Sequence, residues 1–427
     1  MFDQRENFLS GLRLGVAGTL LLVVLVGCDP STLDVRPTQP NTLPEVATQV
    51  MAVPTQPNTL PEVPTATVRP TRVPATLPVF PTITPVVPVG RTPLEQGFGA
   101  QKGFWQVFFT APTGSGNRAN YVGGIDTQVA DALNQVQRTL DIAAFEFNNA
   151  TITAAVLAAH QRGVIVRVVT DDEHGIGSND TTLGQLTAVG IPVIDDNRSA
   201  LMHNKFMILD STSVITGSYN YTINDTYRNN NNMLIFRSQK MVQDYQNEFN
   251  KMFEQKLFGA SKPSNTPFAS FTQDGAAVQV LFAPEDRVVA ALAVALSGAT
   301  TSIRFMAFSF TLDDIAGVMQ QKAQQGVVIN GIFETTGSET RTSELRPLLC
   351  SGLAMRQDGN PFVMHHKVFI IDDKTVVMGS FNFSTGARDS NDENMLIITD
   401  PDLALQYVEE FNRRWAESKQ PTKITCS

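Results

Sequence analysis

The chain is short of the residues that most often build metal centres. It has three cysteines in 427 residues, Cys28, Cys350 and Cys426, and their spacing fits no zinc motif. Histidine is scarce as well, with five in all. Basic charge is in deficit: the formal net charge is −9, and residues 1–98 account for only −1 of it, leaving −8 on residues 99–427. An acidic domain is a poor general attractor for nucleic-acid phosphates, and no Lys/Arg run with interleaved aromatics is visible, although a local basic pocket is not excluded. The apolar run at residues 14–27, LGVAGTLLLVVLVG, is too short for a comfortable membrane span. What the chain does have is length for two domains and 42% hydrophobic residues, enough for a sizeable core.

The run at 14–27 fits the apolar region of a signal peptide, although Arg5 and Arg13 are offset by Asp3 and Glu6. Leu25-Val26-Gly27-Cys28 resembles a bacterial lipobox, in which the cysteine is lipidated and becomes the mature N-terminus. An uncleaved anchor or an ordinary signal peptide is the alternative, and each exports the domain behind it. Residues 29–98 hold 15 of the 24 prolines, and PTQPNTLPEV occurs at 37–46 and again at 54–63. Proline at this density removes backbone donors and favours extended polyproline II, so the segment reads as a disordered Pro/Thr-rich stalk. Outside the cytoplasm, Cys350 and Cys426 either form a disulfide or stay separate thiols; the sequence leaves both open.

Residues 202–222 and 364–384 are nearly one sentence written twice: MHNKFMILDSTSVITGSYNYT and MHHKVFIIDDKTVVMGSFNFS. Between 202–236 and 364–398, 14 of 35 positions are identical at an offset of 162. The register continues through Tyr245 and Tyr407, and upstream Phe145-Glu-Phe147 matches Phe308-Ser-Phe310. The repeat divides the chain into two copies of one unit, residues 99–260 and 261–427. In the first, helices are expected at 126–138, 151–161 and 240–255, and strands at 141–147, 164–170, 203–210 and 213–217. In the second, the same order is expected over 286–297, 301–310, 312–325, 327–333, 365–371, 375–379 and 401–416. The alternation predicts a layered α/β fold. The stretches 171–202 and 334–364 read as loops leading into the histidine segments, a common construction for an active-site rim.

On a strand, residues i and i+2 share a face, so His203 would point with Lys205 and His365 with Lys367. Asp210 and Asp372 fall where those strands end and suit structural hydrogen bonds. The Gly-Ser-x-Asn turns bring Ser218, Asn220, Ser380 and Asn382 nearby. A lysine ammonium has no lone pair and repels cations, so a lysine beside each histidine argues against a metal. The same groups suit an anion. Two ammonium ions, two amides and two hydroxyls would cradle a phosphate, while one histidine attacks phosphorus and the other protonates the leaving oxygen.

His-x-Lys-x4-Asp followed by Gly-Ser-x-Asn, twice, resembles the phospholipase D superfamily over about three-quarters of the chain. The resemblance implies two tandem α/β units related by pseudo-twofold symmetry, one active site shared between them, and metal-free phosphodiester chemistry through a phosphohistidine. It places His203, Lys205, Asn220, His365, Lys367 and Asn382 around one phosphate. Members often take the nucleophile from the first copy, which implies His203, with His365 as general acid. His366 faces the other way, and His160 and His174 read as ordinary surface residues. Many members carry an acid 28 residues after each histidine; here the second copy has Glu393 and the first has Asn231. Reaching across the twofold, Glu393 would back His203; within its own copy it would back His365. The expected substrate is a phospholipid hydrolysed to phosphatidic acid, by a monomer held at a membrane through a lipid on Cys28, exported or secreted. The alternatives are an endonuclease of the short nuclease-like branch acting on nucleic acid, a cardiolipin-synthase-like phosphatidyltransferase, and a non-catalytic binding protein.

Overall fold

The apolar residues after each lysine are buried on both faces, and this organises the fold. Phe206 and Ile208 enter one hydrophobic cluster while Met207 and Leu209 enter another. In the second half, Val368 and Ile370 join that first cluster, whereas Phe369 and Ile371 face a third. A continuous apolar run thus marks a strand covered by packing on both sides rather than an amphipathic edge. The computed structural model describes residues 88–426; the apolar leader, Cys28 and the Pro/Thr-rich stretch to residue 87 lie outside the described residues.

The first sheet contains β1 (Gly90–Thr92), β2 (Phe98–Lys102), β3 (Trp105–Phe109), β4 (Thr139–Ala144), β5 (Ile165–Thr170), β6 (Val193–Asp195), β7 (Lys205–Leu209), β8 (Ser213–Gly217) and β9 (Asn232–Arg237). Its spatial order is β1-β2-β3-β9-β8-β7-β4-β5-β6. The second contains β10 (Ser270–Gln273), β11 (Ala276–Ala283), β12 (Ser302–Ala307), β13 (Val328–Phe333), β14 (Ala354–Gln357), β15 (Lys367–Ile371), β16 (Thr375–Gly379) and β17 (Glu393–Thr399). Its order, β10-β11-β17-β16-β15-β12-β13-β14, repeats that of the first sheet from β2 onward, β1 being the extra strand. Strands β4 to β6 and β12 to β14 run parallel, the helices Ala150–Gln161 and Asp313–Gln324 making the first crossover of each set. The remaining pairings are antiparallel, so both sheets are mixed.

The helices Ile125–Gln135 and Ala150–Gln161 cover the outer face of the first sheet, and Val288–Ser297 with Asp313–Gln324 cover that of the second. The helices Gln239–Phe253 and Pro401–Glu417 lie inside, where Tyr245, Phe249, Tyr407 and Phe411 pack with residues of both sheets in one cluster. Both halves therefore share a core and form the expected two-unit α/β fold within one compact body over the described residues 88–426.

Several details depart from expectation. The sheet begins at Gly90, ahead of residue 98, because Gly90–Thr92 pairs with Gly99–Gln101. Strands β1 to β3, β9 to β11 and β17 were not anticipated; most are short or buried on both faces, so periodicity does not reveal them, although the eight-residue β11 does alternate over its first half. The supposed loops 171–202 and 334–364 each hold a short helix and an edge strand: Leu183–Ala188 with β6, and Leu345–Cys350 with β14.

Cys350 and Cys426 form a disulfide across 76 residues, tying the C-terminal segment to the helix Leu345–Cys350. Closing a loop of that size restricts the unfolded chain, and replacing both cysteines by serine is expected to cost about 4 kcal/mol. Urea unfolding of the double variant beside the oxidised parent checks this; coincident midpoints would remove the bond from the stability account.

Candidate active site

Each histidine lies just ahead of the strand that its lysine begins, and the alternation carries through it: Asn204 and His366, the residues between, point away to Asn394 and Asn232. Within each pair the lysine also bonds back to its histidine, Lys205 Nζ donating to His203 O at 2.8 Å and Lys367 Nζ to His365 O at 2.9 Å. Carboxylates on the preceding stretches anchor the residue ahead of each histidine: Asp171 accepts the Met202 N–H at 3.0 Å and Glu334 the Met364 N–H at 2.7 Å.

Both lysines are buried, which is costly for a cation. An aromatic ring offsets part of that cost in each copy. Phe145 lies 4.7 Å from Lys205 Nζ and stands edge-on to His203; Phe308 lies 4.7 Å from Lys367 Nζ and does the same for His365. Burial still pushes Lys205 down to about 8, and burial with the neighbouring Lys205 charge holds Lys367 well below the usual lysine range. Two ammonium groups this poorly solvated, each spending one N–H on a carbonyl, are primed for an anion.

The Gly-Ser turns pack tightly onto the strands β9 and β17. A Cβ on Gly217 would meet Asn232 O at 2.3 Å, and one on Gly379 would meet Asn394 O at 2.3 Å. Ser218 Oγ accepts the Asn232 N–H and donates to Asn231 Oδ1 at 2.8 Å; Ser380 Oγ accepts the Asn394 N–H and donates to Glu393 Oε2 at 2.6 Å. The serine hydroxyls are therefore committed to the residues behind the histidines. They are not phosphate donors, which corrects the expectation that they join the cradle.

The halves meet through reciprocal bridges, Met202 with Asp392 and Asn230 with Met364. At the 162-residue offset these are the same contact seen from either side, the signature of a twofold interface. It carries each backing residue across to the other half's histidine. Glu393 Oε2 lies 2.8 Å from His203 Nδ1, and Asn231 Oδ1 lies 3.0 Å from His365 Nδ1. Of the two placements open for Glu393, the crossed one is found.

These contacts set the tautomers. Glu393 Oε2 and Asn231 Oδ1 each accept a serine hydroxyl and a histidine Nδ1–H, so Nε2 faces the site in both rings, as the attacking atom in His203 and as the carrier of the transferable proton in His365. Burial, then the lysine charges, holds both imidazoles well below their ordinary value. Burial also pushes Glu393 up to about 8, against the pull of Lys205 and Lys367. A positive charge formed on the His203 ring 2.8 Å away favours the Glu393 carboxylate over its neutral form.

The other expected residues lie around this centre. Asn220 is buried and donates through Nδ2 to Glu146 Oε2 at 3.1 Å; Asn382 occupies the equivalent turn and is half-buried. The Asp210 carboxylate accepts backbone N–H groups of Gln137, Arg138 and Thr139, and Asp372 those of Thr300, Thr301 and Ser302, so both are structural. His366 is fully buried between Asn232 and Glu410, away from the phosphate groups. His160 bonds Val189 O on the surface. His174 is exposed but not an ordinary surface residue, because its ring packs 4.8 Å from Phe145 beside His203.

Sequence reading missed Phe145, Phe308, Glu146 and Asp225. The two phenylalanines were visible as repeat markers, but nothing showed that they touch the lysines. Glu146 and Asp225 have no acidic counterpart, since Ser309 and Ala387 stand at the matching positions. Burial pushes Glu146 up to about 7, with Asp225 adding to the rise.

The profile of the family described as "Cardiolipin synthase, PLD-like domain" matches residues 129–253 and again 292–415. A Xenopus tropicalis protein named mitochondrial cardiolipin hydrolase is 37% identical over 123 residues, which is 29% of this chain and 58% of that relative. A Rickettsia conorii phospholipase D is 32% identical over 124 residues, 29% of this chain and 62% of the relative. The chain thus spans less than two thirds of these relatives' length. The crystal structure of phosphatidylserine synthase from Haemophilus influenzae superposes with a TM-score of 0.52 at 14% identity, covering 70% of this chain and 86% of the synthase, a likeness of fold.

Proposed function

Because the chain belongs to the PLD-like domain family, we propose that it is a metal-independent phosphodiesterase that hydrolyses phospholipids to phosphatidic acid through a phosphohistidine. The observation that carries this reading is the crossed pairing of His203 with Glu393, which makes two sequence-similar histidines chemically unlike.

His203 Nε2 attacks phosphorus as the bond to the leaving alcohol breaks, and His365 gives its proton to the departing oxygen. The phosphorylated ring keeps its Nδ1 proton and is a cation, which the carboxylate 2.8 Å away stabilises. His365, now neutral, takes a proton from water as that oxygen attacks phosphorus and the P–N bond breaks. Lys205, Lys367 and the amides of Asn220 and Asn382 receive the charge that builds on the non-bridging oxygens.

The lipid reading draws on the names of the relatives and on the lipobox-like leader. The disulfide supports an oxidising compartment and hence export, while the lipobox-like Leu25-Val26-Gly27-Cys28 supports a lipid anchor on Cys28 outside the cell membrane. The full chain, incubated with phosphatidylcholine, phosphatidylethanolamine and cardiolipin vesicles in excess chelator, is expected to release phosphatidic acid, followed by mass spectrometry. Cleavage of single-stranded DNA without lipid turnover would move the assignment to a nuclease. Phosphatidyl transfer to added glycerol without hydrolysis would make it a transferase.

A further inference from the structure

The two copies differ at two matching positions, and the differences are complementary. Where the second half has Ala387 and Glu393, the first has Asp225 and Asn231. The carboxylate absent from position 231 stands six residues earlier, in the short helix Ile223–Tyr227.

Asp225 is 2% exposed, and its Oδ2 lies 3.8 Å from His365 Nδ1. Its carboxylate is held by the Asn220 N–H at 2.9 Å on Oδ2 and by Asn229 Nδ2 at 2.5 Å on Oδ1. Its backbone carbonyl accepts from Asn231 Nδ2 at 3.1 Å, so the amide facing His365 is oriented by the same residue. The other charged or titratable groups around His365 are Lys367 at the start of the strand that follows it, Lys205 and His203 from the first half, and His366 beside it. Protonated, each of these repels an imidazolium. Glu334 holds the backbone of the preceding residue, and Glu393 is taken up by His203.

We propose that Asp225 is the positioning residue for the general acid, holding His365 in its protonated form until the leaving oxygen takes the proton. This rests on the phosphodiesterase reading above. The two distances suit the two tasks. A carboxylate at 2.8 Å stabilises a phosphorylated cation that must persist. One at 3.8 Å, beyond hydrogen-bond reach, adds charge without a direct bond, so the proton is held and still released.

The sign is fixed. Removing a nearby negative charge lowers the imidazole's proton affinity, so the alkaline limb of kcat/KM, where the acid is lost, moves to lower pH. Asp225→Asn in the full chain is expected to move that limb down, and to shift the His365 imidazole resonance titration, followed by NMR, the same way. The loss in rate should be about tenfold for an alkyl diester and smaller for a p-nitrophenyl diester, whose leaving group needs little protonation. Asp225→Ala with Asn231→Asp, which returns a carboxylate to the position matching Glu393, is expected to move the limb back. Equal losses on both substrates with an unmoved limb and titration would overturn the inference and leave Asp225 a packing residue. Absence of any diester turnover by the parent would instead overturn the enzymatic reading, while the NMR titration would still report whether Asp225 supports the His365 cation.

Discussion

Replacing His203 by alanine is expected to lower kcat for phosphodiester hydrolysis by on the order of 10⁴-fold or more, because the nucleophile is removed and the covalent route closes. His365→Ala should behave differently. With a p-nitrophenyl diester the first step scarcely needs an acid, so attack by His203 Nε2 still occurs. The second step has lost the base that draws a proton from water. A phosphorylated enzyme should then accumulate, with a burst of p-nitrophenol near one equivalent per chain. Quench-flow kinetics with mass spectrometry would locate the phosphoryl group on His203. A burst from His203→Ala, with label on His365, would reverse the two assignments.

Glu393→Gln is expected to slow turnover by about 10²-fold, with KM changed far less. The amide can still accept the His203 Nδ1–H and the Ser380 hydroxyl, so geometry survives while the charge is lost. What disappears is the stabilisation of the phosphorylated imidazole, a species present only after attack. Asn231→Asp should change kcat by less than about tenfold, since His365 already has Asp225 at 3.8 Å. Steady-state kinetics of the two variants on one substrate make the comparison. Equal, small effects from both would remove Glu393 from the chemistry.

Charge also decides how the histidines differ in a site that is nearly symmetric in sequence. Both imidazoles are buried, both have a lysine two residues on, and both stand beside a phenylalanine. Each Nδ1 is engaged from the opposite half, one by a carboxylate and the other by an amide. Two groups with matched surroundings would titrate alike and share both tasks poorly; unlike partners separate nucleophile from acid.

Much of this was legible in the chain itself. The duplicated run from Met202 to Thr222 and from Met364 to Ser384 identifies the repeat, and its apolar stretches mark strands buried on both faces. Chemistry-bearing residues that recur at one offset stand out because packing alone asks only for apolar character, which many residues satisfy. The recurrence of His203 with His365, Lys205 with Lys367 and Asn220 with Asn382 therefore points to a shared site before any fold is known. The strands around Trp105 and Phe236, by contrast, were hidden, because a short strand buried on both faces has no alternation to read.

The tertiary structure decided which groups touch. Sequence left two homes for Glu393, and only the crossed bridges of Met202 with Asp392 and Asn230 with Met364 carry it to His203. It also turned Ser218 and Ser380 away from the phosphate, set Phe145 and Phe308 against the lysines, and brought Asp225 to a histidine 140 residues away. The physical reason is range. Periodicity and spacing report contacts along one strand or turn, whereas partners across a twofold are fixed by how two sheets pack around a common core.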